Sequence, residues 1–318
     1  MISASTLGFG LIWSMSCSLE TMQWTPGGSD QDIEDRRDDS GGGAGGSGGF
    51  RGVHLGVGGT LIVGILSLIF HQNLFSIFSG SGPAPASPSS ASQPYEDSRE
   101  RTRENAQEKP EYEFIKFVLN DVQATWDKTL PQSTSVPYRH AKLVLYRDEY
   151  PSACGEAQTA VGPFYCPEDQ KVYLDLGFFQ ELENRFGAPG KFAQAYVIAH
   201  EIGHHVQRLL GIESKVRRLQ EQDPRSRNQL SVRIELQADC FAGVWANHAQ
   251  ESKNIIEPSN IDEALNAASA LGADRIQRQT QGYVDFTHGS SAQRVRWFKR
   301  GYESGKVESC DTFKTDQL

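Results

Sequence analysis

The chain is organised around residues 192–210, FAQAYVIAHEIGHHVQRLL, which contain the motif His200-Glu201-Ile202-Gly203-His204. No proline interrupts the stretch and Gly211 follows it, which is the pattern of a helix with a glycine stop. Residues four apart project from the same side of a helix, so the two imidazoles face one point. With 8 histidines among 318 residues, the H-E-x-x-H pattern is expected by chance only about 0.01 times.

The residue types of this motif suit a metal ion that activates water. Neutral imidazoles are ligands of Zn²⁺, and two ligands on one helix leave room for a third ligand and a water. The carboxylate of Glu201, beside that water, can take its proton. The alternative is that both histidines are surface or core side chains that never bind a metal. The rarity of the motif and its helical context favour zinc-assisted hydrolysis.

A third ligand is expected 31 residues beyond His204, in the segment 235–239, ELQAD. We predict Glu235, because a third histidine six residues after the second is excluded by Leu210 at that position. Asp239 lies one helical turn further, where it can accept the outer N–H of a ligating histidine. A solvated acidic face is the alternative. The residues that follow are mostly apolar, however, and carboxylates buried among them need partners.

Composition restricts the function classes. The net charge is −9 and the isoelectric point is about 5.4, with no basic cluster large enough to cover a face, which argues against nucleic-acid binding. The hydrophobic content of 38% is low because the first hundred residues are rich in glycine and serine. The part beyond Glu111 has the mixed apolar and charged texture of a folded domain.

The chain before that domain divides into three segments. We expect residues 1–52 to be disordered, because they contain the glycine-rich tract 40–49, with Met22 as a candidate for the natural start. Residues 53–78 predict a transmembrane helix, since their first 18 residues carry no Asp, Glu, Lys or Arg and span roughly 27 Å as a helix. Residues 79–110 predict a Pro/Ser-rich and then charged linker, which leaves 111–318 as the catalytic domain.

The orientation of this span follows from the basic residues that flank it. Arg36, Arg37 and Arg51 precede the span, whereas residues 79–98 contain no Lys or Arg. The positive-inside rule then predicts a cytoplasmic N-terminus and a single-pass inner-membrane protein with a periplasmic catalytic domain. A buried core helix is the alternative, but the flanking segments offer it nothing to pack against.

The domain begins with one helical pattern, the strand patterns follow, and the remaining patterns are helical. Strand candidates are 141–146 and 171–176, and helical patterns cover 113–130, 178–186, 192–210, 225–250, 261–280 and 290–304. This order predicts an α+β fold, mostly helical with a small mixed or antiparallel sheet. If 171–176 forms the sheet edge beside the cleft, an extended peptide could dock there as an added strand.

Cysteines suggest an oxidising compartment. Four of the five lie in the domain, namely Cys154, Cys166, Cys240 and Cys310. An even number is compatible with two disulfides, and we favour the pairs 154–166 and 240–310, although the sequence alone permits three pairings.

Together these segments resemble one family, the YpfJ-type neutral zinc metallopeptidases of bacteria. The resemblance extends over residues 22–313 and rests on HEIGHHVQ at 200–207, ELQADCFAGVWA at 235–246, CGEAQTAVGPFYCP at 154–167, VYLDL at 172–176, THGSSAQR at 287–294 and CDTF at 310–313. It implies a zincin-like fold and a membrane-anchored, gluzincin-like peptidase.

The segment THGSSAQR adds two candidate catalytic residues. It is similar to the T-H-P segment of related membrane gluzincins, in which a histidine and an arginine six residues later face the cleft. On that resemblance His288 is expected to donate to the oxyanion, with Arg294 beside it, although Gly289 replaces the proline. The alternative is that His288 merely begins a helix and Arg294 pairs with a surface acid.

The sequence therefore predicts a zinc metalloendopeptidase that acts on a peptide or protein substrate and contacts membrane lipid through one span. Zn²⁺ is held by His200, His204 and Glu235, and Glu201 is the general base. A membrane-tethered zinc-binding scaffold and a zinc amidase for non-peptide amides are the alternatives. The presence of Glu201, which serves the chemistry without binding metal, argues against the scaffold.

Overall fold

In the computed structural model of the chain, residues 22–39, 94–158, 162–184, 190–256, 258–271 and 287–318 are described. Strands in these ranges are β1 Ile33–Asp35, β2 Lys142–Tyr146, β3 Glu149–Ser152, β4 Gly155–Gln158, β5 Phe164–Cys166 and β6 Lys171–Asp175. The α-helices are α1 Pro94–Thr134, α2 Gly177–Asn184, α3 Lys191–Leu209, α4 Ile212–Gln222, α5 Arg227–Lys253, α6 Pro258–Ala270 and α7 Ser291–Ser304. Short 3₁₀ turns lie at Pro224–Ser226 and Val307–Cys310. The architecture is thus mixed, mainly helical with small sheets.

The larger sheet has the strand order β1-β2-β6-β5. β1 and β2 are parallel, β2 and β6 are parallel, and β5 runs antiparallel to β6. The expectation that residues 171–176 form the edge beside the cleft is wrong, because β6 lies between β2 and β5. The outer strand on that side is β5, whose three residues are too few to show a periodic pattern in the sequence.

Both faces of this sheet are buried, which explains the continuous apolar runs of its inner strands. One face, with Leu143, Leu145 and Leu174, packs on the helices. The other face, with Val144 and Tyr173, packs under the β3–β4 hairpin in a separate apolar cluster.

Helix α3 is the centre of the helical layer. Most of its residues are buried, and it contacts α1, α5, α6 and β5. Other elements therefore cover it on several sides. Gly211, with φ of +71°, follows its last turn in the left-handed conformation, as the sequence predicts.

Helices α5 and α7 cross with their backbones in direct contact. A Cβ added to Gly301 would lie 1.9 Å from the carbonyl oxygen of Cys240, and one added to Gly243 would lie 2.1 Å from that of Phe298. No side chain fits at either position. The two glycines therefore fix how closely α7 approaches α5.

Residues 22–39 form an arm that is part of the domain, in place of the disorder expected for them. Met22 is 2% exposed, and the ring of Trp24 contacts that of Phe114 edge-on with centroids 5.3 Å apart. β1 extends the sheet, and the Arg37 guanidinium lies 2.8 Å from the Glu108 carboxylate. Glu108 lies in the segment expected to be a linker, whose residues from Pro94 onward instead form the first turns of α1.

The predicted single-pass inner-membrane arrangement, with a transmembrane helix ahead of the domain, requires correction. In the part of the chain that the structure describes, no helix is both long and apolar enough to cross a lipid bilayer. The predicted span, residues 53–78, lies outside the described residues.

Both favoured disulfides are confirmed. Cys154 and Cys166 are bonded, with Cα atoms 5.7 Å apart, and Cys240 and Cys310 are bonded, with Cα atoms 5.5 Å apart. The first bond ties the β3–β4 hairpin to β5, and the second ties the C-terminal segment to α5.

We expect the second disulfide to stabilise the fold more than the first. It closes a separation of 70 residues against 12, and the loss of unfolded-state entropy grows with loop length. Replacing Cys240 and Cys310 by alanine should lower the free energy of unfolding by about 4 kcal/mol, against about 3 kcal/mol for the other pair. Denaturant unfolding of the two double variants measures this, and the reverse order would contradict the loop-entropy explanation.

Candidate metal centre

Helix α3 holds His200 and His204 on one side, one turn apart. Their ring centroids are 4.9 Å apart, and the ring planes are perpendicular. Their side chains are 8% and 18% exposed, so both rings lie largely within the protein. The helix therefore presents two imidazoles at one partly buried point, as the motif spacing predicts.

The glycine of the motif lets α5 approach this point. A Cβ on Gly203 would lie 3.0 Å from the carbonyl oxygen of Ala238, which is tighter than an ordinary contact. One turn before Ala238, the carboxylate of Glu235 projects between the two histidines. Its oxygens lie 3.4 Å from Nε2 of His200 and 3.7 Å from Nε2 of His204.

This donor set fits a zinc ion. Donors about 2.1 Å from a tetrahedral metal are roughly 3.4 Å from one another, close to the distances that separate the carboxylate from the two nitrogens. The three ligand atoms all lie within 4.8 Å of one another. Two imidazoles and one carboxylate also leave a fourth position for water or substrate.

A second group of donor residues, Cys154, Cys166 and Glu168, contains the disulfide, so its sulfurs are not available as thiolates.

Asp239 fixes the tautomer of His200. Its carboxylate is fully buried and lies 2.9 Å from Nδ1 of His200. A carboxylate only accepts, so Nδ1 carries a proton, and Nε2 is the ring nitrogen that faces Glu235. Although burial alone would raise it, the pKa of Asp239 is lowered by the charges of Arg294 and His200, which keeps the carboxylate ionised.

Arg294 lies behind His200 and does not face the cleft, as the resemblance to membrane gluzincins implied that it would. Its side chain is 3% exposed and binds Asp239 with two hydrogen bonds of 2.9 Å, from Nε and Nη2. Nη2 also donates to the hydroxyl of Tyr196 at 3.0 Å, and that hydroxyl donates to Asp239. The partner of Arg294 is thus a buried acid, and its guanidinium neutralises the carboxylate that orients His200.

Gln207 has the same relation to His204, and sequence reasoning missed it. Its Oε1 lies 2.9 Å from Nδ1 of His204, and its Nε2 donates to the carbonyl of Ile234 at 2.7 Å. The available signal was its position three residues after His204, on the same side of α3.

Glu201 lies between α3 and the outer strand β5. Its side chain is buried, and the backbone N–H of Tyr165 donates to its carboxylate. Burial raises the pKa of Glu201 to about 7, which is the range in which a carboxylate can both accept and release a proton near neutrality. The carboxylate is therefore adjacent to the candidate ligands without being one of them.

His288 reaches the same point from the loop that leads into α7. Its Nε2 lies 3.8 Å from the Glu235 carboxylate, and burial lowers its pKa. Gly289 follows with φ of +77°, a conformation that proline cannot adopt, and a Cβ there would lie 3.0 Å from the Leu236 side chain. The loop thus differs in backbone from a T-H-P segment, yet it still brings His288 beside Glu235.

His205 points away from the candidate ligands. Its Nε2 lies 2.6 Å from the carbonyl oxygen of Arg139, so Nε2 carries the proton, and Nδ1 accepts from the hydroxyl of Tyr165 at 2.9 Å. The ring therefore attaches α3 to β5.

The chain was compared with known proteins. Residues 22–313 match the family described as "Putative neutral zinc metallopeptidase". The chain is 42% identical over 298 residues to "Uncharacterized protein YpfJ" of Escherichia coli (strain K12), which covers 92% of this chain and 99% of that protein. It is 44% identical over 212 residues to "Uncharacterized protein Rv2575" of Mycobacterium tuberculosis, covering 63% of this chain and 69% of that protein. No solved structure matches the chain.

Proposed function

The chain belongs to the neutral zinc metallopeptidase family, and from this membership and the geometry of the site we propose that it hydrolyses peptide bonds with Glu201 as general base. One observation carries the proposal. The Nε2 atoms of His200 and His204 and the carboxylate of Glu235 converge on one point, and the carboxylate of Glu201, outside that group, interacts with the charges of His200 and Glu235.

His200, His204 and Glu235 would hold Zn²⁺, which when bound supplies a Lewis acid that polarises a water and the scissile carbonyl. The protein contributes fixed ligand orientation. Nδ1 of each histidine is engaged behind the site, so each Nε2 atom is directed at the metal position before any ion binds. This preorganisation limits the ordering that metal binding requires.

Glu201 moves the proton. Its carboxylate takes a proton from the attacking water and passes it to the nitrogen of the departing amine, which otherwise leaves as an unstable anion. The Tyr165 N–H and the surrounding apolar residues hold the carboxylate in place. Its position on the helix next to His200 keeps it within reach of the metal position.

The outer strand β5 offers a place for the substrate backbone. Tyr165 pairs with Val172 of β6, but its N–H is turned towards Glu201, away from β6. A residue within a strand directs its N–H and its C=O to the same side, so the carbonyl of Tyr165 also faces away from β6. An extended peptide that pairs there would place its own backbone beside Glu201.

The experiment that tests the proposal is hydrolysis by the purified full-length chain. We expect it to cleave members of a peptide mixture, to lose that activity when zinc is removed with a chelator, and to regain it on adding Zn²⁺. Mass spectrometry of the products identifies the cleaved bonds, and simple non-peptide amides in parallel test the zinc amidase alternative. Zinc-loaded protein that cleaves no peptide would contradict the proposal.

His288 is expected to stabilise the oxyanion of the tetrahedral intermediate. Burial lowers the pKa of this ring, which lies beside Glu235, and the N–H of a neutral imidazole can donate to charge that develops on the substrate. Replacing it by alanine should lower kcat by roughly 10²- to 10³-fold, with zinc content unchanged.

A matched control is His248→Ala. That histidine lies on α5, 13 residues beyond Glu235, and donates to the carbonyl of Gly305. It should leave kcat unchanged. Steady-state kinetics on one cleaved peptide measures both, and a His288→Ala value within a few-fold of wild type would remove His288 from the mechanism.

A further inference from the structure

We propose that Gln207 is a positioning residue for the metal site, which holds His204 in the Nδ1–H tautomer and directs its Nε2 lone pair at the metal position. This inference rests on the proposed function, since it concerns the same zinc site. The observation behind it is a fixed hydrogen-bonded chain that runs from His204 to the C-terminal segment.

The orientation of the Gln207 amide is set by its neighbours. Its Nε2 lies 2.7 Å from the carbonyl oxygen of Ile234, which can only accept, so the other amide atom, facing His204, is the oxygen. That oxygen lies 2.9 Å from Nδ1 of His204 and can only accept in turn. The proton on His204 is therefore on Nδ1, and Nε2 is free.

A second amide supports the first. Nε2 of Gln207 also lies 3.1 Å from Oε1 of Gln237, whose own Nε2 donates to the carbonyl of Cys310 at 2.9 Å. Both glutamines are buried, with 1% and 4% exposure. A buried side-chain amide without hydrogen-bond partners costs folding free energy. This series of hydrogen bonds therefore has one arrangement in which every amide is paired.

The two histidines are thus oriented by groups of different charge. His200 donates to the carboxylate of Asp239, whose charge is balanced by Arg294, whereas His204 donates to a neutral amide. A neutral acceptor fixes the ring without adding negative charge next to Glu235. Both orientations direct Nε2 to the same point, so each should matter for metal affinity.

The test is the zinc affinity of the full-length chain, measured by competition with a chromophoric chelator. Gln207→Met keeps the length and volume of the side chain and removes the acceptor. We expect its dissociation constant for zinc to rise by about 10- to 100-fold. The matched control is Gln194→Met on the same helix, where the amide oxygen accepts from Lys191 at 3.2 Å, and its affinity should equal that of wild type.

The melting temperature of each metal-free variant separates positioning from general stability. If Gln207→Met melts lower but binds zinc as tightly as Gln194→Met, Gln207 is only structural and the inference is wrong. If the wild type binds zinc, Gln207→Met binds it weakly and no peptide is cleaved, the inference holds while the proposed function fails.

A second measurement needs no variant. Long-range ¹H–¹⁵N correlation spectra of the metal-free wild type report which ring nitrogen of each neutral histidine carries its proton. We expect the Nδ1–H form for His204. The Gln207 oxygen that faces Nδ1 can only accept, so Nδ1 is the nitrogen that carries the proton. The Nε2–H form at His204 would overturn the inference even if Gln207→Met did not fold.

Discussion

Replacing Glu201 by glutamine is expected to lower kcat for peptide hydrolysis by about 10²- to 10⁴-fold while the protein keeps its zinc. Glutamine has nearly the same shape and can still accept the N–H of Tyr165, but it cannot take a proton from water. Metal analysis and kinetics on the same preparation measure both properties together.

The control for this variant is Glu251→Gln, at an exposed position on α5. It changes the same chemical group away from the site and should leave zinc content and kcat as in wild type. A Glu201→Gln protein that retains most of its activity would show that another residue handles the proton, and loss of zinc would show that Glu201 is a ligand.

Removing the carboxylate of Glu235 should abolish zinc binding and activity together, whereas Glu201→Gln should lose activity and keep zinc. The carboxylate lies 3.4 Å and 3.7 Å from the two ligand nitrogens, and two histidines alone leave a zinc site incomplete. We expect Glu235→Ala to purify with almost no zinc, as should His200→Ala and His204→Ala. Elemental analysis after dialysis against a weak chelator measures this.

Two outcomes would contradict the assignment of Glu235. One is full zinc occupancy in Glu235→Ala, and the other is loss of zinc from Glu251→Ala, which would indicate a general effect of charge on α5. Because Glu235 is partly buried beside His200 and His288, circular dichroism of each variant should accompany the metal analysis.

Much of this site could be predicted because it is local. His200 and His204 follow from a spacing within a single helix, and Glu235 and Asp239 follow from a second spacing on another helix. The structure brings those four side chains together. Nothing in the sequence states how α3 and α5 pack together. Gly203, within the H-E-x-x-H motif, is nevertheless the small residue that their close packing requires.

Other features depend on contacts that no local pattern records. Arg294 binds Asp239, 55 residues away in sequence, because α7 packs against α5 at the paired glycines. The resemblance alone implied that Arg294 faces the cleft. Gln207 lies three residues after His204, but this spacing alone does not indicate a contact, since a glutamine on a helix is usually a solvent-facing residue. β1 and β5 have three residues each, too few for alternation to appear.

The packing of the arm on the domain has a consequence for how the protein can be divided. Residues 22–39 are held by strand pairing to β2, by the burial of Met22, and by ion pairs such as that of Arg37 with Glu108. None of these contacts needs the covalent connection through residues 40–93. A chain cut in that interval should remain assembled as two fragments, and a domain made without the arm would expose β2 as an unpaired edge until an arm peptide, supplied in trans, restored the strand.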